Sequence, residues 1–268
     1  VGFVDDWRGL GARLKLVLLG ALCLFAAGAG FHAELFDSAG NGLASVLVWG
    51  LCVAGSALWL FVIMNAANFM DGSNGLAVGS LLIMLGSLAA FWMQVEAAGA
   101  APIIVLAVMA LLGAMAGFLV WNLGGQLYAG DAGALGIGAV FGSLSLFVVS
   151  YMNETGTPQS TAFIWFPATL ALPFLVDVFM TLLWRRRRGA SLLSAHTDHA
   201  YQCLRAAGWG HTGVALLWWS FAVVCGVAGV LAAWSGGAAS FPVFAATLAV
   251  GIVLWVLQRR SGAPSKPG

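Results

Sequence analysis

Charged side chains are scarce: Asp, Glu, Lys and Arg make up 8% of the 268 residues, and 61% are hydrophobic. A water-facing globule needs several times more charge on its surface, so this composition excludes a soluble domain. There is also no basic face with interleaved aromatics, and the net charge is only +1, so no nucleic-acid partner is expected. The four cysteines make no disulfide framework, because Cys23, Cys52 and Cys225 lie inside apolar runs and Cys203 in a polar linker. They are expected to pack as small apolar groups. No repeat period or linker divides the chain, which reads as one domain over residues 1–268. It opens at Val1 rather than Met, with the polar pair Asp5-Asp6 ahead of any apolar run, and so reads as a fragment without its upstream helices.

What is present is a series of apolar runs of the length that spans hydrocarbon, about 20 residues of helix. The runs are Leu16 to Phe31, Leu43 to Met64, Leu76 to Val95, Pro102 to Val120, Leu135 to Met152, Ala162 to Trp184, Thr212 to Trp234, and Phe241 to Leu257. The expected fold is therefore all-α, a polytopic membrane protein of about eight transmembrane helices. Glycines inside the runs suit close helix packing. Trp49, Trp59, Trp92, Trp121, Trp165, Trp184, Trp234 and Trp255 stand near run ends, where an amphipathic ring favours the interface.

All eleven Lys and Arg residues fall outside the runs, and alternating topology puts them on one side. Arg8, Arg13 and Lys15 precede the first run, Arg185 to Arg188 and Arg205 share a linker, and Arg259, Arg260 and Lys266 follow the last run. The opposite linkers carry only acids, Glu34, Asp37, Glu96 and Glu154. Because Lys and Arg are retained during insertion, the basic side is read as cytoplasmic. That side also holds Asp5, Asp6, Asn65, Asn68, Asp71, Asn74, Asp131, His196, Asp198 and His199. Polar groups at membrane depth are costly unless paired or used, so their concentration there points to a site.

Each motif has a structural and a functional reading. In Asp5-Asp6, adjacent carboxylates point different ways around a helix end; the pair is a solvated cap, or one member meets a divalent cation while the other orients a nucleophile or a cation. Asn65, Asn68, Asp71 and Asn74 recur every third residue, the spacing of one helix face, and Gly72 and Gly75 let backbone approach a ligand. A helix end and turn accounts for the glycines but not for the amide and carboxylate stripe. Asp131, between Gly130 and Gly133, caps a new helix, lets that helix N-terminus hold a phosphate, or joins the other carboxylates around Mg²⁺. Asp177 lies two turns before Arg185 and is expected to pair with an arginine. The arginine cluster is mainly a stop-transfer and headgroup feature that also steers polyanions. His196 and His199 offer two imidazoles; zinc is one reading, but no Cys or third His joins them, and donation to a diphosphate fits the other motifs better. His32 and His211 are expected to be ordinary loop residues.

Together GFVDDWRG, NAANFMDGSNGLA, GDAGALGIG, PFLVDVFMTLLWRRRRG and AHTDHAYQCL resemble, in order and spacing, the polyprenyl-phosphate N-acetylhexosamine-1-phosphate transferase family. That family includes the phospho-MurNAc-pentapeptide translocase and the enzymes that start O-antigen and enterobacterial common antigen chains. The AH-x-DH-x-YQ form looks closer to the O-antigen and capsule branch than to the peptidoglycan enzyme, whose triple-His motif is absent. Three departures stand out: the upstream helices with their basic, Gly-rich motif are missing, Asn74 stands where many members have Asp, and Ala134 where many have Ser.

The resemblance implies an enzyme of the bacterial inner membrane with a cytoplasmic active site, moving a sugar 1-phosphate from a UDP-N-acetylsugar to a polyprenyl (undecaprenyl) phosphate and releasing UMP. It implies Mg²⁺, with Mn²⁺ as an alternative, and leaves a homodimer open. It further implies that Asp131 and Asn68 meet the metal, that Asp71 helps position nucleotide and metal, and that Asp5 or Asp6 faces the acceptor phosphate. Asn65 and Asn74 fall among the substrate-binding residues, and His196 and His199 contact the diphosphate. Two other classes are weighed against this. A secondary transporter would place its polar site near the midplane on broken helices, and a CDP-alcohol phosphotransferase would follow Asp71-Gly72 with an Ala-Arg pattern, where this chain has Ser-Asn-Gly-Leu.

Overall fold

The computed structural model describes residues 1–30, 42–96, 102–154, 160–192, 194 and 196–261. Among these residues the structure is helical and contains no strand. A short α1 (Gly2–Arg8) precedes α2 (Ala12–Gly28), α3 (Leu43–Phe69), α4 (Leu76–Glu96), α5 (Pro102–Leu123) and α6 (Gly130–Glu154). A 3₁₀ turn (Ser160–Ile164) leads into α7 (Trp165–Arg187); α8 (Ala200–Ala206), α9 (His211–Trp234) and α10 (Ser240–Ser261) complete the order.

The apolar runs become helices because hydrocarbon supplies no partner for backbone N–H and C=O groups, and a helix satisfies them within one segment. Seven helices are long and apolar enough to cross a membrane, running through Leu43–Phe69, Leu76–Gln94, Ile104–Leu123, Gly130–Glu154, Ala162–Arg187, His211–Trp234 and Ser240–Ser261. The protein is thus a polytopic helical membrane protein. The eighth expected run becomes α2, whose 17 residues fall just short of that length; its expected end at Phe31 lies outside the described residues, as do His32, Glu34, Asp37 and Lys266. Polar ends that had been read as linker are helical: α3 continues past Met64 to Phe69, and α6 starts at Gly130, ahead of Leu135. Both extensions carry proposed site residues.

The helices form one bundle. α4 is packed by α5, α6, α7 and α9, α3 lies along α6, and α10 closes against α7. Aromatic rings lock the centre, with Phe91 4.8 Å from Phe166 between ring centroids. A smaller cluster of Leu19, Cys23, Ala27, Ala57, Leu60 and Leu135 seats α2 on α3 and α6. Outward apolar side chains such as Leu51, Leu106 and Val120 stay exposed, which suits lipid as the solvent. The four cysteines are free, three of them buried as small apolar groups.

One end of the bundle gathers the polar groups. Lys15 at the start of α2 reaches Asp131 at the start of α6. Asn122 near the end of α5 binds the Gly75 N–H before α4. Ser73 binds His211 at the start of α9, and Arg185 and Arg259 near the ends of α7 and α10 both hold Asp198. Trp234 ends α9 at the opposite end. If the basic end is cytoplasmic, then in a Cys203→Ser background a cysteine at exposed Tyr128 should react with an impermeant maleimide only after cells are opened, and one at exposed Ser235 should react in intact cells. Labelling of the Tyr128 position in intact cells would invert the topology.

Candidate active site

The polar end encloses a cleft of about 510 Å³ lined by Asp6, Lys15, Asn65, Asn68, Asp71, Asp131, His196 and His199 among others. Of the residues singled out from sequence, it unites all except Asp5, which sits one bond behind Lys15, and Asn74, which turns away. The helical stripe explains Asn74. α3 ends at Phe69 with Met70 as its C-cap, so the three-residue rhythm holds for Asn65 and Asn68 and stops before Asn74. Asn74 instead lines a second pocket with Ser73, Asn122, Tyr128 and His211. Asn65 is buried and donates to the Phe61 carbonyl at 2.7 Å.

The acidic side of the cleft is built by crossing helices. Asp6 of α1 accepts the backbone N–H groups of Asp131 and Ala132, each at 2.9 Å. Asp131 therefore does not cap its own helix; the cap is supplied in trans by Asp6, which takes two of the N-terminal donors that had been considered for a phosphate. Gly130, at φ 61, allows this approach, since a Cβ there would sit 3.0 Å from an Asp6 oxygen. Lys15 bridges Asp131 and Asp5, 2.8 Å from the latter. Hydrogen bonds shared with Asp131 and Lys15, and one from the Leu10 N–H at 2.5 Å, hold the Asp5 carboxyl down to about 2. Asp71 behaves oppositely. Burial, and then the negative charges of Asp131 and Asp6, push its carboxyl up to about 7 against partial relief from the Gly130 N–H.

The histidine side corrects two expectations. Asp177 does not pair with an arginine among the described residues, since Arg185, the first that follows it, is engaged elsewhere. The fully buried Asp177 instead holds His199 Nδ1 at 2.8 Å and accepts the Ala200 N–H at 2.7 Å. Arg185 binds Asp198, the Ser191 carbonyl at 2.5 Å and the Ser194 hydroxyl at 3.0 Å. His196 and His199 stack with ring centroids 5.0 Å apart. Burial, then the positive charge at His199 and Arg185, pushes His196 below its usual value. Tyr201 donates to the Phe69 carbonyl at 2.9 Å, and its hydroxyl sits so close to Gly72 that a Cβ there would be 2.2 Å away. Gly75, at φ 77, is likewise filled by Leu123 and Trp219. The two glycines thus admit protein side chains, where a ligand had been expected.

The sequence did not mark His211 or Asn122 as parts of this end, and placed Lys15 there without its bridging role. His211 is the first residue of α9, within 2.9 Å of both Ser73 Oγ and Arg205 Nη2, and Asn122 ties the Gly75 N–H to the Leu127 carbonyl. The contacts that bring them to this end, Ser73 with His211 and Gly75 with Asn122, span 138 and 47 residues, so no local spacing marks them. Lys15 carried a usable signal: it is the last cation before an apolar run.

Oxygen donors with excess negative charge are the kind of ligand a hard cation takes. Among the described residues no group of three or more His, Cys, Asp or Glu is placed to hold a metal ion. Mg²⁺ commonly takes only one or two carboxylates and completes its shell with water and phosphate oxygens. Asp71, whose carboxyl is raised first by burial and then by its negative neighbours, together with Asp131 and Asn68 on the same cleft, fits that requirement.

The site is a cleft of carboxylates, amides and imidazoles at one end of a helical bundle. Residues 1–149 match the model of glycosyl transferase family 4, and the chain belongs to that family. It is similar to the phospho-N-acetylmuramoyl-pentapeptide-transferase of Synechococcus sp. (strain JA-3-3Ab), 29% identical over 80% of this chain and 62% of that protein. The protein of the same description from Mycobacterium leprae (strain TN) is 29% identical over 86% of this chain and 70% of its own length. That from Neisseria meningitidis serogroup C (serotype 2a) is 26% identical over 84% and 66%. The chain thus spans about two thirds of the length of these relatives, and less than that of the first.

A carboxyl held at about 7 against an ordinary value of 3.8 favours the folded state only while protonated. The resulting loss of stability develops as pH rises from about 4 through about 7 and is complete above that. With chelator present, Asp71→Asn should therefore melt at a higher temperature than the parent at pH 8 and match it near pH 4. Equal melting temperatures at both values would show that Asp71 is not held in this way.

Proposed function

We propose that the chain transfers a sugar 1-phosphate from a UDP-N-acetylsugar to a polyprenyl phosphate, releasing UMP. The observation that carries this reading is the union, in one interfacial cleft, of Asp71, Asp131, Asn68 and Lys15 with His196 and His199. Support comes from the similarity to phospho-N-acetylmuramoyl-pentapeptide-transferases. In the reaction an oxygen of the acceptor phosphate attacks the β-phosphorus, the bond from that phosphorus to the bridging oxygen breaks, and UMP leaves. A phosphate monoester has a second pKa near 6, so the acceptor is largely a dianion at neutral pH and needs orientation more than deprotonation.

Asp71, Asp131 and the Asn68 amide would hold Mg²⁺, which when bound supplies charge neutralisation for the transferring phosphoryl group. Lys15 provides a fixed positive charge beside Asp131 toward the acceptor phosphate. His196 and His199 face the diphosphate as donors, and Asp6 keeps α6 in register. Between α3, α6 and α7 an apolar groove of about 330 Å³ reaches Val62, one turn short of Asn65, and offers a polyprenyl tail a surface in lipid. The pair of imidazoles in AHTDHAYQ favours initiation of O-antigen or capsule in the bacterial inner membrane, with the cleft on the cytoplasmic side. Clustering of the polar groups at the bundle end disfavours a transporter, whose site belongs near the midplane.

In lipid, with a panel of UDP-N-acetylsugars and polyprenyl phosphate, UMP should form only when both substrates and Mg²⁺ are present. Asp131→Asn should lower the rate by about 10²-fold or more while leaving insertion unchanged. Near-normal Mg²⁺-dependent turnover by this variant would remove Asp131 from the site.

A further inference from the structure

A buried polar contact lies directly behind the cleft. Asp177 belongs to α7 and is 0% exposed, yet its carboxylate is satisfied on both oxygens, by His199 Nδ1 at 2.8 Å and the Ala200 N–H at 2.7 Å. A buried ionised carboxylate accepts hydrogen bonds and donates none, so the imidazole nitrogen facing it carries the proton. The ring cannot turn to offer its other edge. Phe69 lies 5.8 Å away, Tyr201 5.9 Å and His196 5.0 Å between ring centroids, and the His199 side chain is only 4% exposed. Asp198, the nearest other carboxylate in sequence, is committed to Arg185 and so does not compete. With Nδ1 turned to Asp177 the remaining ring nitrogen is Nε2, and His199 lines the cleft.

We propose that Asp177 is a positioning residue that fixes the proton on His199 Nδ1 and presents Nε2 to the diphosphate of the donor substrate; this rests on the transfer reading above. With Nδ1 turned to Asp177, a doubly protonated ring directs Nε2–H at the phosphate oxygens as negative charge shifts toward the leaving nucleotide. Asp177 itself never touches substrate. Its contribution is the orientation of the His199 ring and the carboxylate it sets behind that ring, the same logic by which a buried Asp orients a catalytic imidazole in hydrolases.

Asparagine separates this role from simple packing. In Asp177→Asn the shape is kept, but if the amide oxygen accepts the Ala200 N–H, the amide NH₂ faces Nδ1 and drives the ring proton to Nε2. The test uses the full chain in lipid nanodiscs with ¹⁵N-labelled histidine, His199 being assigned by the signals lost in His199→Gln. We expect Nδ1 of the parent to be protonated and Nε2 to be the nitrogen whose shift moves when UDP and Mg²⁺ are added. Asp177→Asn should show the proton on Nε2 and a turnover lowered by about 10²-fold or more, with KM for the UDP-sugar changed by less than about threefold. A parent with unprotonated Nδ1, a UDP response confined to Nδ1, or an Asp177→Asn variant with unchanged turnover would overturn the proposal. The parent's tautomer is read without any variant, so misfolding of Asp177→Asn leaves the test decisive. If tautomer and UDP response are as described but no UDP-N-acetylsugar yields UMP, the transfer reading fails and the positioning of His199 stands.

Discussion

Hydrocarbon offers no partner to a charge, and the placement of nearly every ionisable group in this chain follows from that. Each described Lys and Arg lies at one end of the bundle, and the one carboxylate set deep in a helix, Asp177, is fully buried with both oxygens bonded. Satisfying Asp177 draws the 196–199 segment back against α7, because the donors it needs belong to His199 and Ala200. Once there, Asp198 is gripped from two helices, by the guanidinium of Arg185 and through its carbonyl by Arg259. Arg259 also lies over the Trp184 ring at 3.8 Å, tying the end of α10 to that of α7. A single buried charge thus organises the histidine side of the cleft.

The acidic side is organised by shortage of a different kind. Asp5, Asp6, Asp71 and Asp131 meet in the described structure with Lys15 as the cation bonded among them. Asp5 and Asp6 are relieved, one by Lys15 and the other by two backbone N–H groups of α6. Asp71 bears what is left over, and its carboxyl is raised accordingly. An arrangement that penalises its own ionisation is costly for stability and useful for binding a divalent cation or a cation-carrying phosphate, a common trade between fold and site.

Helices and their apolar faces were legible in the sequence because their cause is local: about 20 apolar residues cross hydrocarbon only as helix. The membership of most of the cleft was legible too, since Asn65, Asn68 and Asp71 follow a helical rhythm and the basic linkers place Asp131, His196 and His199 at the same end. What stayed hidden were the pairings. Asp6 caps a helix 125 residues away, Ser73 meets His211 at a separation of 138, and Asp177 chooses His199 over the arginines that follow it. Spacing reports which side chains share a face; it does not report which helix lies opposite. Asn74 was misplaced because the helical period was extended past the end of α3.

Which bond of the donor is broken separates transfer of a sugar 1-phosphate from transfer of the sugar alone. With UDP-N-acetylsugar labelled by ³²P at the β-phosphate and polyprenyl phosphate in the bilayer, attack at the β-phosphorus must carry the label, together with the sugar, into the lipid and leave unlabelled UMP. Label retained in released UDP, with sugar alone reaching the lipid, would mean cleavage at the sugar carbon and would contradict it.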